Sequence, residues 1–212
     1  MKYSAILFDL DGTLVHSIDL YASAMRETFA EAGVDLSEAQ FRSSYGSGLK
    51  LKDWLVTYGL PEASVDTIRT ARDKRYVKLL REQAEWIRGA EDLLTALKGA
   101  HPLGLITGSW MSYVDAIDER LSVKPYFRHI VTAEHVGDFP KPHPHGLLLA
   151  ADRLGVEPER CLYVGDQLFD VDAAKAAGMA SCCIRGAYTP SEALERADVV
   201  VENLGDVWKV IG

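Results

Sequence analysis

Cysteine is scarce in this sequence, and long apolar runs are absent from it. The 212 residues include 3 cysteines, Cys161, Cys182 and Cys183, and neither their number nor their spacing is typical of a disulfide framework or a zinc site. No stretch approaches the roughly 18 consecutive apolar residues of a transmembrane helix, and the apolar run near the N-terminus is too short for a signal peptide. We therefore expect a cytoplasmic protein that does not bind membranes.

Positive charge is also in deficit. The chain has 23 Lys and Arg residues against 31 Asp and Glu residues, a formal net charge of -8 at pH 7. This charge repels nucleic-acid backbones and anionic surfaces at long range, so we expect no nucleic-acid partner. Residues 16–87 contain 10 basic and 11 acidic residues, which leaves 13 and 20 for the rest of the chain. Most of the acidity therefore lies outside this segment.

The apolar residues follow two periodicities along the chain. Residues 5–10 form a short apolar run before Asp11-Gly12, which predicts a buried strand and then a turn. Residues 17–86 have helical spacing and contain no convincing strand. From residue 89 onward, helical segments alternate with five apolar runs, at residues 103–106, 129–131, 161–164, 180–184 and 199–201. This order predicts an α/β fold, a Rossmann-like open parallel sheet with helices on both faces.

The helical stretch interrupts the α/β pattern directly after the first strand. We therefore predict an α/β core formed by residues 1–15 and 88–212. Residues 16–87 would form a small all-helical domain inserted after that strand. A chain of this length is compatible with such a division, and with either a monomer or a homodimer.

Two of the predicted strands are followed by pairs of acidic residues. In open α/β sheets, ligands bind beyond the carboxyl ends of the strands. Asp9 and Asp11 stand at the end of the first strand, where a period of two would point both to the same side. Asp166 and Asp170 follow the strand at residues 161–164. Neighbouring carboxylates repel each other, so such a pair favours a shared proton or a bound cation.

Two further segments at the same predicted edge would suit a phosphate. Thr107 offers a hydroxyl, and the N–H groups of Gly108 and Ser109 lead into a helix, an arrangement that binds phosphate oxygens. Lys141 lies between two prolines that restrict the backbone around a compact positive charge. Each segment alone is more often a turn, a helix cap or a surface loop. Together they favour a metal-assisted phosphoryl transfer.

In this order the segments resemble the haloacid dehalogenase superfamily, and within it the phosphoglycolate phosphatase-like hydrolases. The matching segments are Asp9-Leu10-Asp11-Gly12-Thr13-Leu14-Val15, Thr107-Gly108-Ser109, Lys141-Pro142, and Gly165-Asp166 with Asp170. The first motif is highly specific, whereas the second and third are weak by themselves. The resemblance covers nearly the whole chain, and the helical insertion looks like the cap domain of that family.

The resemblance implies a role for each matching residue. Asp9 would be the nucleophile that forms an aspartyl-phosphate, and Asp11 would protonate the leaving alkoxide and then deprotonate the attacking water. Thr107 and the N–H group of Gly108 would bind phosphoryl oxygens, while Lys141 would offset negative charge. Mg²⁺ would be held by four residues: Asp9, Asp11 through its backbone carbonyl, Asp166 and Asp170, the last directly or through water.

Counting charges shows why a cation would be needed. Four ionised aspartates and Lys141 leave three net negative charges, which would repel a phosphate. Mg²⁺ reduces the excess to one charge, and protonation of Asp11 removes it. The acidic composition therefore predicts metal dependence.

Two positions depart from the pattern of the family. His16 stands where Asp is common, at the expected hinge into the cap, and Gln167 replaces a frequent Ser beside the expected metal. We expect the hinge and the surroundings of the metal to differ here, without an effect on the nucleophile. His143 and His145 lie beside prolines and are predicted to be exposed loop residues rather than metal ligands.

The helical segment is expected to determine the substrate. Gly46, Gly48 and Lys50 resemble the specificity loop of the family, in which Lys50 would contact the leaving group, although an ordinary helix–helix turn explains the pattern equally well. Six basic residues are predicted to form a solvated helix face: Arg69, Arg72, Lys74, Arg75, Lys78 and Arg81. Four aromatic residues are predicted to pack in the core or between domains: Trp54, Tyr58, Trp86 and Trp110.

These observations predict a Mg²⁺-dependent phosphoric monoester hydrolase that acts on a small phosphorylated metabolite, with phosphoglycolate or a sugar phosphate as leading candidates. A phosphosugar mutase is the nearest alternative, but such enzymes typically carry a histidine near the position of Tyr21. A dehalogenase is disfavoured because it needs no acid at Asp11. A non-catalytic phospho-regulator is disfavoured for the same reason, and because it would have no leaving group to enclose.

Overall fold

The computed structural model describes residues 2–212 and is built on a six-stranded parallel sheet. The strands lie in the order β3-β2-β1-β4-β5-β6. Their bounds are β1 (Ala5–Phe8), β2 (Leu103–Ile106), β3 (His129–Val131), β4 (Cys161–Gly165), β5 (Ala180–Ile184) and β6 (Val199–Val201). All neighbouring strands are parallel. The predicted open parallel sheet of an α/β fold is confirmed.

The helices fall into two groups. Four belong to residues 16–87: α1 (Ile18–Glu31), α2 (Glu38–Gly46), α3 (Leu51–Thr57) and α4 (Val65–Gln83). The others follow in the α/β part: α5 (Ala90–Lys98), α6 (Met111–Leu121), α7 (Ala133–Val136), α8 (His145–Leu154), α9 (Leu168–Ala176), α10 (Ser191–Arg196) and α11 (Val207–Ile211). Among the described residues, no helix combines the length and the apolar character that a membrane span requires.

The sheet is buried on both faces because its strands are apolar without interruption. Side chains of β1 alternate between two clusters. Ile6 and Phe8 pack with residues of α5 and α6 on one face, whereas Ala5 and Leu7 pack with residues of α8 and α9 on the other. Such two-sided burial is what a parallel sheet covered by helices requires.

Strand β1 ends earlier than the apolar run predicts. The expected strand over residues 5–10 stops at Phe8, and a turn follows in which Gly12 has a φ of +80°. A Cβ atom on Gly12 would lie 2.5 Å from Cδ1 of Ile18 and 2.8 Å from Oδ2 of Asp166. The turn therefore brings the backbone close to Asp166, which only glycine permits.

Helices α1 to α4 have an apolar cluster of their own, in which Phe29, Phe41 and Trp54 are buried. The chain enters and leaves this helical segment, residues 16–87, through two adjacent stretches. Val15 and Trp86 form an antiparallel bridge. The N–H group of His16 donates to the carbonyl of Glu85 at 2.9 Å, and that of Ile87 donates to the carbonyl of Leu14 at 2.8 Å. We call these paired stretches the hinge.

The structure limits one prediction about a single side chain and contradicts another. Trp110 is not a core residue, since it is 48% exposed, but it lines the same cavity as residues of the helical segment. Arg72 does not lie on a solvated face, since it is 6% exposed. Helix α4 buries one residue in every four along its length, Ile68, Arg72, Tyr76 and Leu80, so Arg72 lies on the same face as three apolar or aromatic neighbours.

Candidate active site

The sheet topology brings the predicted site residues together. Asp9 follows β1, Thr107 follows β2 and Asp166 follows β4, and these three strands are neighbours in the sheet. Lys141 reaches the same place from the loop between α7 and α8. The carboxyl ends of adjacent parallel strands thus form one edge, where ligands bind in folds of this type.

Lys141 is the centre of the buried part of the site. Its Nζ atom donates to Oδ1 of Asp9 at 2.7 Å, to Oδ1 of Asp170 at 2.6 Å and to the hydroxyl of Tyr163 at 2.9 Å. Burial disfavours its charge, but the carboxylates of Asp170 and Asp9 outweigh burial and hold the pKa of the ammonium group well above its ordinary value. The lysine is therefore charged and fixed by three partners.

Three buried carboxyl groups form a compact acidic cluster. One oxygen from each of Asp9, Asp166 and Asp170 lies within 4.8 Å of the other two. Burial raises the pKa of Asp9 well above its ordinary value and outweighs the lowering effect of Lys141, and the charge of Asp170 raises this pKa further. Burial and the charge of Asp170 raise the pKa of Asp166 to about 7. The cluster thus holds more negative charge than its single lysine balances.

Asp166 and Asp170 have different surroundings. Asp166 accepts from Oγ1 of Thr13 at 3.0 Å and from Nε2 of Gln167 at 2.5 Å. Asp170 accepts from Lys141 and from the Tyr163 hydroxyl on Oδ1, and from the N–H group of Gln167 on Oδ2. Each oxygen of Asp170 thus accepts two hydrogen bonds, since the N–H group of Asp166 also donates to Oδ2 at 3.3 Å, whereas each oxygen of Asp166 accepts one. Asp170 is therefore better placed to hold Lys141 than to bind a cation directly, and Asp166 keeps lone pairs for a cation.

Asp11 lies apart from this cluster and is surrounded by hydroxyl groups. Its Oδ1 accepts from Oγ of Ser17 at 2.6 Å, and its Oδ2 accepts from Oγ of Ser109 at 2.7 Å and from Oγ1 of Thr107 at 3.0 Å. The hydroxyl of Tyr76 in α4 lies 3.4 Å from Oδ1. Residues of the α/β part and of the helical segment thus orient this carboxyl group together.

A cavity of about 300 Å³ lies between the sheet edge and the helical segment. Its floor includes Asp9, Asp11, Gly108 and Lys141. Its roof is formed by residues of the helical segment: Ile18, Tyr21, Met25, Tyr45, Gly48, Leu49, Leu51, Trp54, Arg72 and Tyr76. The volume suits a small molecule, and charged and hydroxyl groups line both the floor and the roof.

The predicted specificity loop contributes in part. Gly48 lines the cavity, whereas Gly46 and Lys50 are not among its lining residues. Lys50 is exposed and stands at the N-terminus of α3. His143 and His145 are also exposed, as predicted, and lie outside the acidic cluster.

Arg72 is a site residue that the sequence-based prediction missed. Its guanidinium group donates to the hydroxyl of Tyr21 at 2.8 Å and to Oδ1 of Asp73 at 2.6 Å. The hydroxyl of Tyr113, in α6, donates to the same oxygen of Asp73 at 2.6 Å. The burial of every fourth residue in α4 is the signal that could have placed Arg72 inside.

Three further residues were missed for other reasons. Ser109 belongs to the Thr107-Gly108-Ser109 motif but was not assigned to the site. Ser17 has no motif around it and reaches Asp11 through the turn at the hinge. The sequence pattern predicts Tyr163 to be an apolar strand residue. Its hydroxyl contacts Lys141 only because the loop that carries Lys141 packs against this strand.

Comparisons with known proteins identify relatives of this chain. A family model for haloacid dehalogenase-like hydrolases matches residues 3–178. The phosphoglycolate phosphatase of Escherichia coli (strain K12) is 30% identical over 232 aligned positions, which cover 98% of this chain and 92% of that protein. The phosphoglycolate phosphatase of Xanthomonas campestris is 32% identical over 210 positions, with coverages of 97% and 95%.

Solved structures have the same fold. CbbY from Rhodobacter sphaeroides, in complex with phosphate, has a TM-score of 0.84 at 28% identity and covers 97% of this chain and 96% of its own. A variant of CbbY is in complex with xylulose bisphosphate, with a TM-score of 0.83, 28% identity and coverages of 95% and 94%. A β-phosphoglucomutase from Clostridium difficile has a TM-score of 0.81 at 23% identity, with coverages of 99% and 95%, and shares the fold.

The family model matches most of the chain, and the two phosphatases cover nearly all of it. These matches confirm two predictions from the sequence, the superfamily and the enzyme class of phosphoric monoester hydrolases. This chain belongs to the haloacid dehalogenase-like hydrolases.

Proposed function

We propose that this protein is a Mg²⁺-dependent phosphatase that hydrolyses a small organic phosphomonoester through a phosphorylated Asp9. One observation carries the proposal. Asp9 is paired with Lys141 at 2.7 Å within a buried acidic cluster, and it lines the same cavity as Asp11. A nucleophile, an acid and a fixed positive charge therefore face one enclosed space.

The acidic cluster fits a divalent cation. Asp9, Asp166 and Asp170 are buried against a single ammonium group, and burial of unbalanced carboxylates is costly. Mg²⁺ prefers oxygen ligands, so the carboxylates of Asp9 and Asp166 would hold it, with the backbone carbonyl of Asp11 as the family resemblance implies. When bound, the cation would offset the charge of the phosphoryl group. Asp170, with two donors on each oxygen, would act through water.

Asp9 would attack phosphorus with a carboxylate oxygen. The new O–P bond forms as the bond from phosphorus to the leaving oxygen breaks, and Asp11 transfers its proton to that oxygen to release an alcohol. Asp11 then takes a proton from water, whose oxygen bonds to phosphorus as the O–P bond to Asp9 breaks, and inorganic phosphate is released. Both aspartates end in their starting states.

The hydroxyl groups around Asp11 would fix its geometry for both proton transfers. Thr107, Ser109 and Ser17 each donate to its carboxylate. These donors leave little freedom of rotation, so the acid would be held ready for the leaving group. When substrate binds, the single hydrogen of the Thr107 hydroxyl would turn from Asp11 to a phosphoryl oxygen, and Ser17 and Ser109 would keep the carboxyl group in place. The N–H group of Gly108 would bind another phosphoryl oxygen, and Lys141 would offset the charge on Asp9.

The position of Arg72 favours a substrate whose leaving group carries a second anionic group. The buried guanidinium lines the cavity roof, although it already pairs with Asp73. Arginine binds carboxylates and phosphates in a planar, bidentate way. Phosphoglycolate has a carboxylate on its leaving group and sugar bisphosphates have a second phosphate. These two classes are therefore the leading substrates.

The mutase alternative is disfavoured by the cavity. Among the described residues, no histidine lines it, and Tyr21, near the position where mutases typically carry one, donates no imidazole and binds Arg72 instead. A non-catalytic regulator is disfavoured because such a protein has no use for an enclosed cavity beside Asp11. The cytoplasmic location and the state of assembly stay predictions from the sequence.

The proposal is tested with p-nitrophenyl phosphate at neutral pH, with Mg²⁺ and with EDTA. We expect turnover that requires the metal, and its loss in Asp9→Asn. The matched control is Asp152→Asn, which changes an exposed aspartate of α8 and should leave turnover intact. Turnover by Asp9→Asn near the wild-type rate, or wild-type turnover in EDTA, would overturn the proposal.

A second experiment identifies the substrate, by ranking a series of phosphomonoesters by kcat/KM. The products separate a phosphatase from a mutase, since a phosphatase releases inorganic phosphate and a mutase yields an isomeric sugar phosphate.

A further inference from the structure

Tyr188 joins the α/β part to the helical segment. It lies in the loop after β5, and its ring enters the apolar cluster of α1 to α4. The ring centroid lies 6.4 Å from that of Phe41 and 6.2 Å from that of Tyr45. These edge-to-face contacts are typical of stabilising aromatic pairs.

Polar contacts reinforce this attachment. The hydroxyl of Tyr188 donates to Oδ1 of Asp19 in α1 at 2.5 Å. The guanidinium carbon of Arg42 in α2 lies 4.2 Å from the centre of the ring, within the range of a cation–π interaction. Arg42 also donates to the carbonyl of Ala187 at 2.9 Å. The loop is thus tied to two helices of the segment by aromatic, ionic and backbone contacts.

The backbone of the same residue is connected to the acidic cluster. Nε2 of Gln167 donates to the carbonyl of Tyr188 at 3.3 Å and to Oδ2 of Asp166 at 2.5 Å. An amide nitrogen has two hydrogens, so both bonds form at once. Gln167 is 1% exposed and has little room for another arrangement. Docking of the helical segment is therefore connected to Asp166 through Tyr188 and Gln167.

We propose that Tyr188 is a latch that couples docking of the helical segment to the orientation of Asp166, with Gln167 as the positioning residue between them. The proposal rests on the proposed function, because it takes Asp166 as a ligand of the cation. Docking fixes the Tyr188 carbonyl, the carbonyl fixes the amide of Gln167, and the amide orients the carboxylate. Coupling between two binding events is reciprocal, so the cation also favours the docked segment.

Two measurements independent of turnover test the latch. Mg²⁺ affinity is measured by calorimetry at fixed pH, and docking is measured by amide hydrogen exchange in α1 and α2 of the whole protein. Tyr188→Ala should weaken Mg²⁺ binding by about tenfold, within the usual range of coupling between sites, and should accelerate exchange. Tyr188→Phe loses only the bond to Asp19 and should have a smaller effect in the same direction.

Gln167→Ala removes the link between Tyr188 and Asp166 and leaves the contacts of Tyr188 with the helical segment in place. It should weaken Mg²⁺ binding but leave exchange in metal-free protein near the wild-type rate. Adding Tyr188→Ala to Gln167→Ala should then weaken binding no further, because the connection is already broken. Arg185→Ala is the control from the same loop, since Arg185 pairs with Glu202 on the surface, and it should change neither quantity.

Three results would overturn the latch. They are an unchanged Mg²⁺ affinity in Tyr188→Ala, unchanged exchange in that variant, and additive losses of affinity in the double variant. Wild-type protein that binds Mg²⁺ but has no phosphatase turnover would overturn the proposed function and leave the latch standing. Wild-type protein that does not bind Mg²⁺ would overturn both.

Discussion

Asp166→Asn should stabilise the metal-free protein in a manner that depends on pH. Asp166 is 1% exposed, and burial raises its pKa from 3.8 to about 7. The substitution removes a buried acid with little change in shape. In the unfolded chain the carboxyl group ionises near its ordinary pKa, so folding shifts its titration upward.

The sign of the effect follows from proton binding. Below pH 4 the group is protonated in both states and folding has no penalty from it. Between pH 4 and pH 7 only the unfolded state loses its proton readily, so the stability of the metal-free wild type falls as pH rises. Each pH unit corresponds to about 1.4 kcal/mol, which gives an upper limit of about 4 kcal/mol over the interval. The true loss of stability is smaller than this limit, because the excess negative charge of the cluster is divided between Asp166 and Asp9.

Asparagine does not titrate, but the substitution lowers the stability of the folded protein in another way. The side-chain oxygen of asparagine can accept from Nε2 of Gln167, but its amide nitrogen then faces the hydroxyl of Thr13, which loses the acceptor that it has in Asp166. This loss is about 1 kcal/mol and does not vary with pH. The informative quantity is therefore the change with pH in the stability difference between variant and wild type.

The assay is urea unfolding of both proteins in EDTA at pH 5, 6, 7 and 8. The advantage of Asp166→Asn should grow with pH and level off above pH 7. Mg²⁺ should then raise the stability of the wild type at pH 8 and leave that of the variant unchanged. A stability difference that is the same at every pH would refute the argument that Asp166 is a strained, uncompensated acid.

Three other substitutions test separate contacts. Arg72→Met should lower kcat/KM by about 10- to 100-fold for substrates with an anionic leaving group, because a charged hydrogen bond is lost. The kcat/KM for p-nitrophenyl phosphate should not change. Arg69→Met is the control, since Arg69 lies one turn earlier in the helix and is exposed. Tyr163→Phe should lower kcat by about tenfold with little change in KM, because Lys141 loses one of its partners; an unchanged kcat would remove the hydroxyl from the mechanism. Gly12→Ala should destabilise the protein by more than about 1–3 kcal/mol, because it adds a steric clash to backbone strain. The control is Gly33→Ala, which has the backbone strain alone, since Gly33 has a φ of +85° and nothing within 4 Å of an added Cβ atom. Equal losses of stability in thermal unfolding would show that the clash at Gly12 is relieved.

The acidic and phosphate-binding segments could be found from the sequence because each follows a strand. Uninterrupted apolar runs specify buried parallel strands, and the carboxyl ends of such strands meet at one edge. Asp9, Thr107 and Asp166 therefore lie together as expected. The end of β1 was harder to predict, because Leu10 continues the apolar pattern while the chain already turns toward Gly12.

The roof of the cavity could not be predicted from local pattern alone. A run of basic residues in α4 is typical of a solvated surface, and the burial of Arg72 depends on partners distant in sequence, Tyr21 and Tyr113. The hydroxyl groups around Asp11 come from three separate stretches of chain. Contacts of this kind depend on how helices dock on one another, and no short motif encodes them.

The pairing at the hinge makes the helical segment exchangeable. Because Leu14 and Ile87 are joined by a backbone hydrogen bond of 2.8 Å, a tight turn could connect the two stretches directly, and the strand order of the sheet would not change. Equally, the helices of a relative could be grafted between the same two points. Recombination at the hinge would thus exchange the roof of the cavity, while Asp9, Lys141 and the acidic cluster would remain in the chain.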